Sequence, residues 1–201
     1  MRIIGITGGV GAGKSLVLEY LSQKYGAYVI YADRVANDLK LPGEKCYDAM
    51  VQLMGEEILS EDGTIDKAKM AARIFEDKQL LTRINGIIHP AVKTYILQEI
   101  ENKRREGQVK LFVIEAALLI EDHYDEICDE LWYIYADRAV RQRRLMESRG
   151  YSKQRIDNIM NGQLADEEYR KHCRIVIDNG HDVADTYLQI DKKLEAYQCQ
   201  A

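Results

Sequence analysis

The chain has 201 residues, 46% of them apolar and 30% charged, which is enough to bury a core in about one ordinary domain with room for a lid or a small inserted subdomain. With 2 prolines and 14 glycines it is unlike a disordered, collagen-like or linker-rich chain. Lys plus Arg number 28 against 33 Asp plus Glu, a net charge of −5 that disfavours a sequence-blind grip on nucleic acid or an anionic membrane.

The first predicted element is a strand over Arg2–Thr7, a short β-branched run. A glycine-rich turn follows, and then a helical period from about Lys14 to Lys24. Ala27–Tyr31 predicts a second strand, Val109–Glu115 a third, Leu131–Tyr135 a fourth and Ile175–Asp178 a fifth. All five are nearly continuously apolar, as expected when helices cover both faces of a parallel sheet. Helical periods fill the intervals, at 32–40, 45–54, 66–76, 78–106 with an interruption near Pro90, 137–149, 152–163, 165–172 and 182–197. Strands separated by helices predict an α/β doubly wound fold in one domain.

The spacing is uneven. Residues 32–108 are almost wholly helical, too many for a single crossover, so a helical region of about 36–106 is expected beside the carboxyl edge of the sheet, where ligands bind. A second helical excess, 137–172, separates strands four and five. The core would then comprise about 1–35, 107–136 and 173–201. The apolar stretch Leu111 to Ile120 is interrupted by Glu115 and is far shorter than a bilayer span. The chain enters a strand at Arg2, so no cleavable leader is expected. Four scattered cysteines, Cys46, Cys128, Cys173 and Cys199, lack CxxC or a Cys/His cluster and read as reduced cytosolic thiols.

Gly8-Gly9-Val10-Gly11-Ala12-Gly13-Lys14-Ser15 satisfies G-x-x-x-x-G-K-[ST], with a strand before and a helix after. Glycines let the backbone turn its N–H groups inward as an anion nest at a helix N-terminus. Lys14 supplies a point charge for the β- and γ-phosphates, and the Ser15 hydroxyl is placed to ligate Mg²⁺. Position 16 is Leu, so Ser15 is the only hydroxyl on the magnesium side. A switch GTPase is disfavoured. No glycine has Asp three residues before it, and Asn102-Lys103 continues Arg-Arg. A small-molecule kinase remains.

Asp33 lies just beyond strand two, at the edge that carries the phosphate loop in a parallel sheet. It is placed either to accept a proton from an attacking hydroxyl or to cap the next helix. Glu115 ends strand three, where an acid holds Mg²⁺ through water or pairs with a cleft Arg or Lys. Arg138, Arg141 and Arg144 recur every three residues on one helix face, either as a solvated face or as neutralisers of phosphoryl charge. His89 precedes Pro90, so its backbone is expected to be extended at a helix break. Asn179 follows strand five and is read either as an adenine-side residue or as an Asn-Gly turn.

The chain resembles the dephospho-coenzyme A kinase family. The likeness is carried by Ile6–Ser15, by Tyr31-Ala32-Asp33, by Asp62-Gly63-Thr64-Ile65 and Ile74-Phe75, by Ile87–Val92, by Leu118–Glu121 and by Val176–Asn179. It implies a P-loop NTPase-type fold and transfer from ATP to the 3′-hydroxyl of dephospho-CoA. By similarity to nucleoside monophosphate kinases the sheet order is expected to be 2-3-1-4-5. Asp33 would be the general base, with Lys14, Arg144 and Arg141 as further catalytic groups and 137–172 as a lid. The resemblance places ATP contacts on Gly9, Gly11, Ala12, Gly13, Lys14, Ser15, Leu16 and Asn179. Substrate contacts fall on Thr7, Asp33, His89, Glu115 and Leu118, and Gln163 matches a family glutamine. ATP and Mg²⁺ are the expected cofactors and a cytoplasmic location follows, with no nucleic-acid, membrane or obligate protein partner. Departures from the family pattern are Tyr31 for Asp, Lys67 for a frequent Arg and Ala117 for Pro.

Overall fold

A computed structural model describes residues 1–198; Cys199, one of the four expected thiols, lies outside the described residues. In chain order the elements are β1 (Arg2–Thr7), α1 (Lys14–Tyr25), β2 (Tyr28–Tyr31), α2 (Ala32–Asp38), α3 (Tyr47–Met54), α4 (Lys67–Glu76), α5 (Lys78–Glu106) and β3 (Leu111–Glu115). They continue with β4 (Glu130–Tyr135), α6 (Arg138–Arg149), α7 (Lys153–Asn161), α8 (Asp166–His172), β5 (Ile175–Asp178) and α9 (Val183–Gln198). The chain divides into two compact units, residues 1–30 with 106–201, and residues 31–105.

The first unit is built on the sheet, whose strand order is β2-β3-β1-β4-β5, as expected. β1 runs parallel to both β3 and β4, and β4 parallel to β5. Ile4, Ile6, Phe112, Val113, Ile114, Trp132 and Ile134 are all completely buried, which is why these strands read as unbroken apolar runs. Parallel strands present their carboxyl ends together, so the segments after β1, β3, β4 and β5 gather at one edge.

The second unit, residues 31–105, is helical. Met50, Met54, Ile58, Ile84, Ile88, Ile96 and Ile100 supply much of its buried apolar surface. The Asp66 carboxylate caps α4, accepting from the N–H groups of Ala68 and Lys69 at 2.7 and 3.0 Å.

One expectation fails here. α5 runs unbroken for 29 residues with Pro90 inside it, so His89 is helical and not extended. Proline removes one backbone bond and crowds the carbonyl four residues earlier. That earlier residue is Gly86, which has no side chain to add to the crowding, and nothing beyond the local helix backbone lies within 4 Å of where a β-carbon would sit. Buried Ile84, Ile88, Ala91, Val92, Ile96 and Ile100 recur along the helix at spacings that keep one face apolar, and that burial outweighs one lost bond. Among the described residues no helix is long and apolar enough to cross a membrane.

Candidate active site

Thr7, 1% exposed, closes β1, and the chain then turns through the glycine loop into α1. The N-cap of α1 is Gly13 in the left-handed region at φ 85°, with no side-chain cap. A β-carbon there would be strained and would also strike the Asn179 amide. The first N–H groups of a helix have no intrahelical acceptor. Here the N–H groups of Gly11 and Gly13 also lack a protein acceptor among the described residues, whereas Ala12 N–H turns back to the Gly9 carbonyl at 3.1 Å. The loop is therefore a concave row of donors aimed at an anion.

Lys14 folds back over this row. Its ammonium donates to the Gly8 carbonyl at 2.9 Å and lies 3.5 Å from a Glu115 carboxylate oxygen. Glu115 reaches it because β3 is in register with β1, opposite Ile6. Of the two cleft roles open to Glu115, pairing with a cation is the one the geometry presents. Ser15 lies exposed in the first turn of α1, beside Leu16.

Two arginines of α6 grip the loop from outside. Arg141 donates through Nε to the Val10 carbonyl at 2.9 Å and through its terminal nitrogen to Gln163 Oε1 at 2.7 Å, and the same Oε1 accepts from Val10 N–H at 3.1 Å. Its guanidinium fills the space a side chain on Gly9 would need. Burial pulls the Arg141 guanidinium below the ordinary arginine value, and the groups around it shift it less. Arg144 donates to the Asn179 carbonyl at 2.8 Å and reaches the Ala12 carbonyl at 3.4 Å. Asn179, 2% exposed, donates its amide to the same Ala12 carbonyl at 2.8 Å. Arg138 instead pairs with Asp157 on α7 at 2.8 Å.

Packing reinforces the grip. Leu145, Ile156 and Met160 form a small buried cluster with Val10 and Tyr151 against it, so the loop's Val10 side chain is seated on α6 and α7. Next to Arg141 and Gln163 lies a cavity of about 460 Å³ walled by Tyr133, Tyr135 and Asp137. Tyr133 stacks on Tyr169 with ring centres 4.6 Å apart.

The first unit thus brings together Thr7, Gly9, Gly11, Ala12, Gly13, Lys14, Ser15, Leu16, Glu115, Arg141, Arg144 and Asn179. Leu118, in the turn after β3, is 41% exposed. Asp33 and His89 belong to the second unit. The cap of α2 is Tyr31, without a side-chain cap bond, and Asp33 sits exposed in the first turn. Its carboxylate makes no hydrogen bond or ion pair among the described residues. The capping role for Asp33 is therefore not taken.

Val10 and Thr186 were not singled out from sequence. Val10 occupies a free position of the loop motif, and Thr186, completely buried, donates to Asn179 Oδ1 at 3.0 Å from a helix with no distinguishing pattern.

The donor set suits a nucleotide triphosphate: amide N–H groups, one lysine and flanking arginines, with a hydroxyl and a carboxylate suited to a hard cation. The family model described as Dephospho-CoA kinase matches residues 2–185. The dephospho-CoA kinase of Geobacter sulfurreducens is 37% identical over 179 residues, covering 89% of this chain and 90% of that one. That of Carboxydothermus hydrogenoformans is 35% identical over 190 residues, covering 94% and 91%. Among solved structures, TT1252 from Thermus thermophilus superposes with a TM-score of 0.80 at 26% identity, covering 99% of this chain and 97% of that one. Dephospho-CoA kinase from Campylobacter jejuni does so at 0.71 and 20% identity, covering 97% and 96%, which is a likeness of fold.

Proposed function

The chain belongs to the dephospho-CoA kinase family, phosphotransferases acting on an alcohol group, and from that premise we propose that it transfers the γ-phosphoryl group of ATP to the ribose 3′-hydroxyl of dephospho-CoA. The products are coenzyme A and ADP, in the last step of coenzyme A synthesis. The observation that carries the reading is the loop itself, a left-handed glycine cap with unclaimed N–H groups and Lys14 laid across them.

In this reading the N–H groups of Gly11, Gly13, Lys14 and Ser15 cradle the donor's phosphates, and the Lys14 ammonium leaves Glu115 and Gly8 to follow the β- and γ-oxygens. Asp33 accepts the proton of the attacking 3′-hydroxyl, a role supported by an exposed carboxylate that makes no hydrogen bond or ion pair among the described residues. Arg141 and Arg144 neutralise equatorial oxygen charge, supported by their seats beside Gly9 and Gly13. Asn179 holds Ala12 in place, next to the expected adenine side. Thr7, Glu115 and Leu118 of the first unit and His89 of the second are the residues assigned to acceptor contacts in this reading. Ser15 would hold Mg²⁺, which supplies charge neutralisation across the β- and γ-phosphates. A small, charged, water-borne acceptor suits a cytoplasmic enzyme that needs no nucleic-acid, membrane or obligate protein partner.

The test is ADP release with dephospho-CoA beside a panel of nucleosides and nucleotides. Dephospho-CoA should give the highest kcat/KM, and a preference for another acceptor would overturn the assignment. Asp33→Asn should bind ATP within about twofold of the native chain yet lose turnover by on the order of a hundredfold or more. Retained turnover would remove Asp33 from the mechanism.

A further inference from the structure

The helical unit, residues 31–105, holds two cations that the mechanism leaves idle. A cavity of about 180 Å³ lies there, walled by Asn37, Lys40, Thr64, Ile65 and Lys67 among others. Lys40 follows the end of α2 and is half-buried, while Lys67 is the first residue of α4. Neither makes an ion pair with a carboxylate among the described residues.

Two neighbouring acids are committed elsewhere. Asp66 is spent on the N–H groups of Ala68 and Lys69, and Asp62 on the hydroxyl and N–H of Thr64 at 2.7 and 3.0 Å. Asp38 also borders the cavity and pairs with neither lysine. Burial pulls the Lys40 ammonium below its ordinary value, repulsion from Lys67 adds to this, and Cys46 and Asp33 oppose it more weakly. Two ammonium groups at a shared cavity, neither held in an ion pair among the described residues, are stabilised when an anion joins them.

We propose that Lys40 and Lys67 form the subsite that holds the diphosphate of dephospho-CoA, an inference that rests on the function proposed above. The acceptor carries a diphosphate between its adenosine and pantetheine parts, two negative charges to match two lysines. The 3′-hydroxyl and the diphosphate hang from the same ribose, so a base and an anion subsite serving one acceptor must lie near each other. Asp33 and Lys40 meet that condition, at the start and just past the end of α2, with the charge of Asp33 felt at Lys40. Lysine can serve the task as a point charge on a flexible stem, without the bidentate fork that arginine would offer a phosphate.

The experiment compares the native chain with Lys40→Gln, Lys67→Gln and the double variant. The double variant should raise KM for dephospho-CoA at least tenfold while KM for ATP stays within twofold, and Lys67→Arg should keep the native value. Equal rises in both KM values would mean a packing role, and an unchanged KM for dephospho-CoA would remove the subsite; either overturns the proposal. If the native chain fails to phosphorylate dephospho-CoA, it is the acceptor assignment that falls. The subsite is then read by calorimetry with inorganic pyrophosphate while ADP saturates the phosphate loop. Binding lost in the double variant supports an anion subsite, and binding unchanged overturns it.

Discussion

At the residue scale the controlling detail is how Val10 is held. Its N–H and its carbonyl are both engaged by side chains more than 130 positions along the chain, Arg141 and Gln163, which also bond each other. The loop is thus shaped by the α6–α8 segment before any phosphate arrives. Removing the acceptor by Gln163→Ala takes the partner from one terminal nitrogen of Arg141 and leaves Val10 N–H without a protein partner, a loss of about 1–3 kcal/mol for such a group. Water can reach this part-buried site, so the lower end applies, and ATP affinity measured by calorimetry should fall about fivefold. Gln163→Glu keeps an acceptor and adds an ion pair to Arg141, so it should recover most of the affinity. Equal losses in both variants would show that the bond to Val10 does not shape the loop. The motif Gly8–Ser15 was legible because its spacing is local. The side chains that lock it were legible as candidates, but their partners were not, since nothing local pairs Arg141 with Val10 or Asn179 with Ala12. Asp33 stood open between cap and base in sequence, and the backbone of α2 removed the cap.

At the element scale, strands read well and the long helix did not. Each strand is an apolar run bounded by turns, and the observed limits differ from expectation by only a residue or two, as at β3, which begins at Leu111 where Val109 was expected. α5 was read as broken because proline is a local signal, whereas its continuity is decided by the buried face of the whole helix. The proline should still carry its local cost. Pro90 is exposed and its carbonyl accepts from the Thr94 hydroxyl at 2.7 Å, so alanine at this position keeps the packing and restores an N–H. Pro90→Ala should raise unfolding free energy by up to about 3 kcal/mol, read as a higher urea midpoint at unchanged m. A lower midpoint would mean that the unit depends on a bend that proline imposes. Turnover measured alongside tests whether the role of His89 depends on the neighbouring proline.

For the whole molecule, the α/β class followed from alternating periods, but the order of strands came from family likeness. Five similar apolar runs carry no local mark of who pairs with whom, and β1 pairs with residues more than a hundred positions away. The scattered cysteines were also read from composition alone, as reduced thiols, and the structure supplies their physical state. Cys46, Cys128 and Cys173 are all free and buried. Burial pushes the Cys128 and Cys173 thiols up to about 12, with the charges of Asp129 and Asp125 adding to the effect at Cys128. A raised thiol value favours the protonated form, so at pH 8 only about one in ten thousand of these groups is the reactive thiolate. Alkylation of the native protein at pH 8, followed by peptide mass spectrometry, should therefore leave Cys128 and Cys173 unmodified, and denaturant should expose both. The protection has two sources, since burial both blocks the reagent and suppresses the thiolate. Raising the pH from 8 to 9 should thus increase the labelling rate of either residue by no more than the tenfold gain in thiolate, and only through molecules that open. Labelling of Cys173 in the native state at the rate of an exposed thiol would show that the carboxyl side of α8 opens on its own, leaving the α6–α8 support of the phosphate loop less fixed than its hydrogen bonds imply.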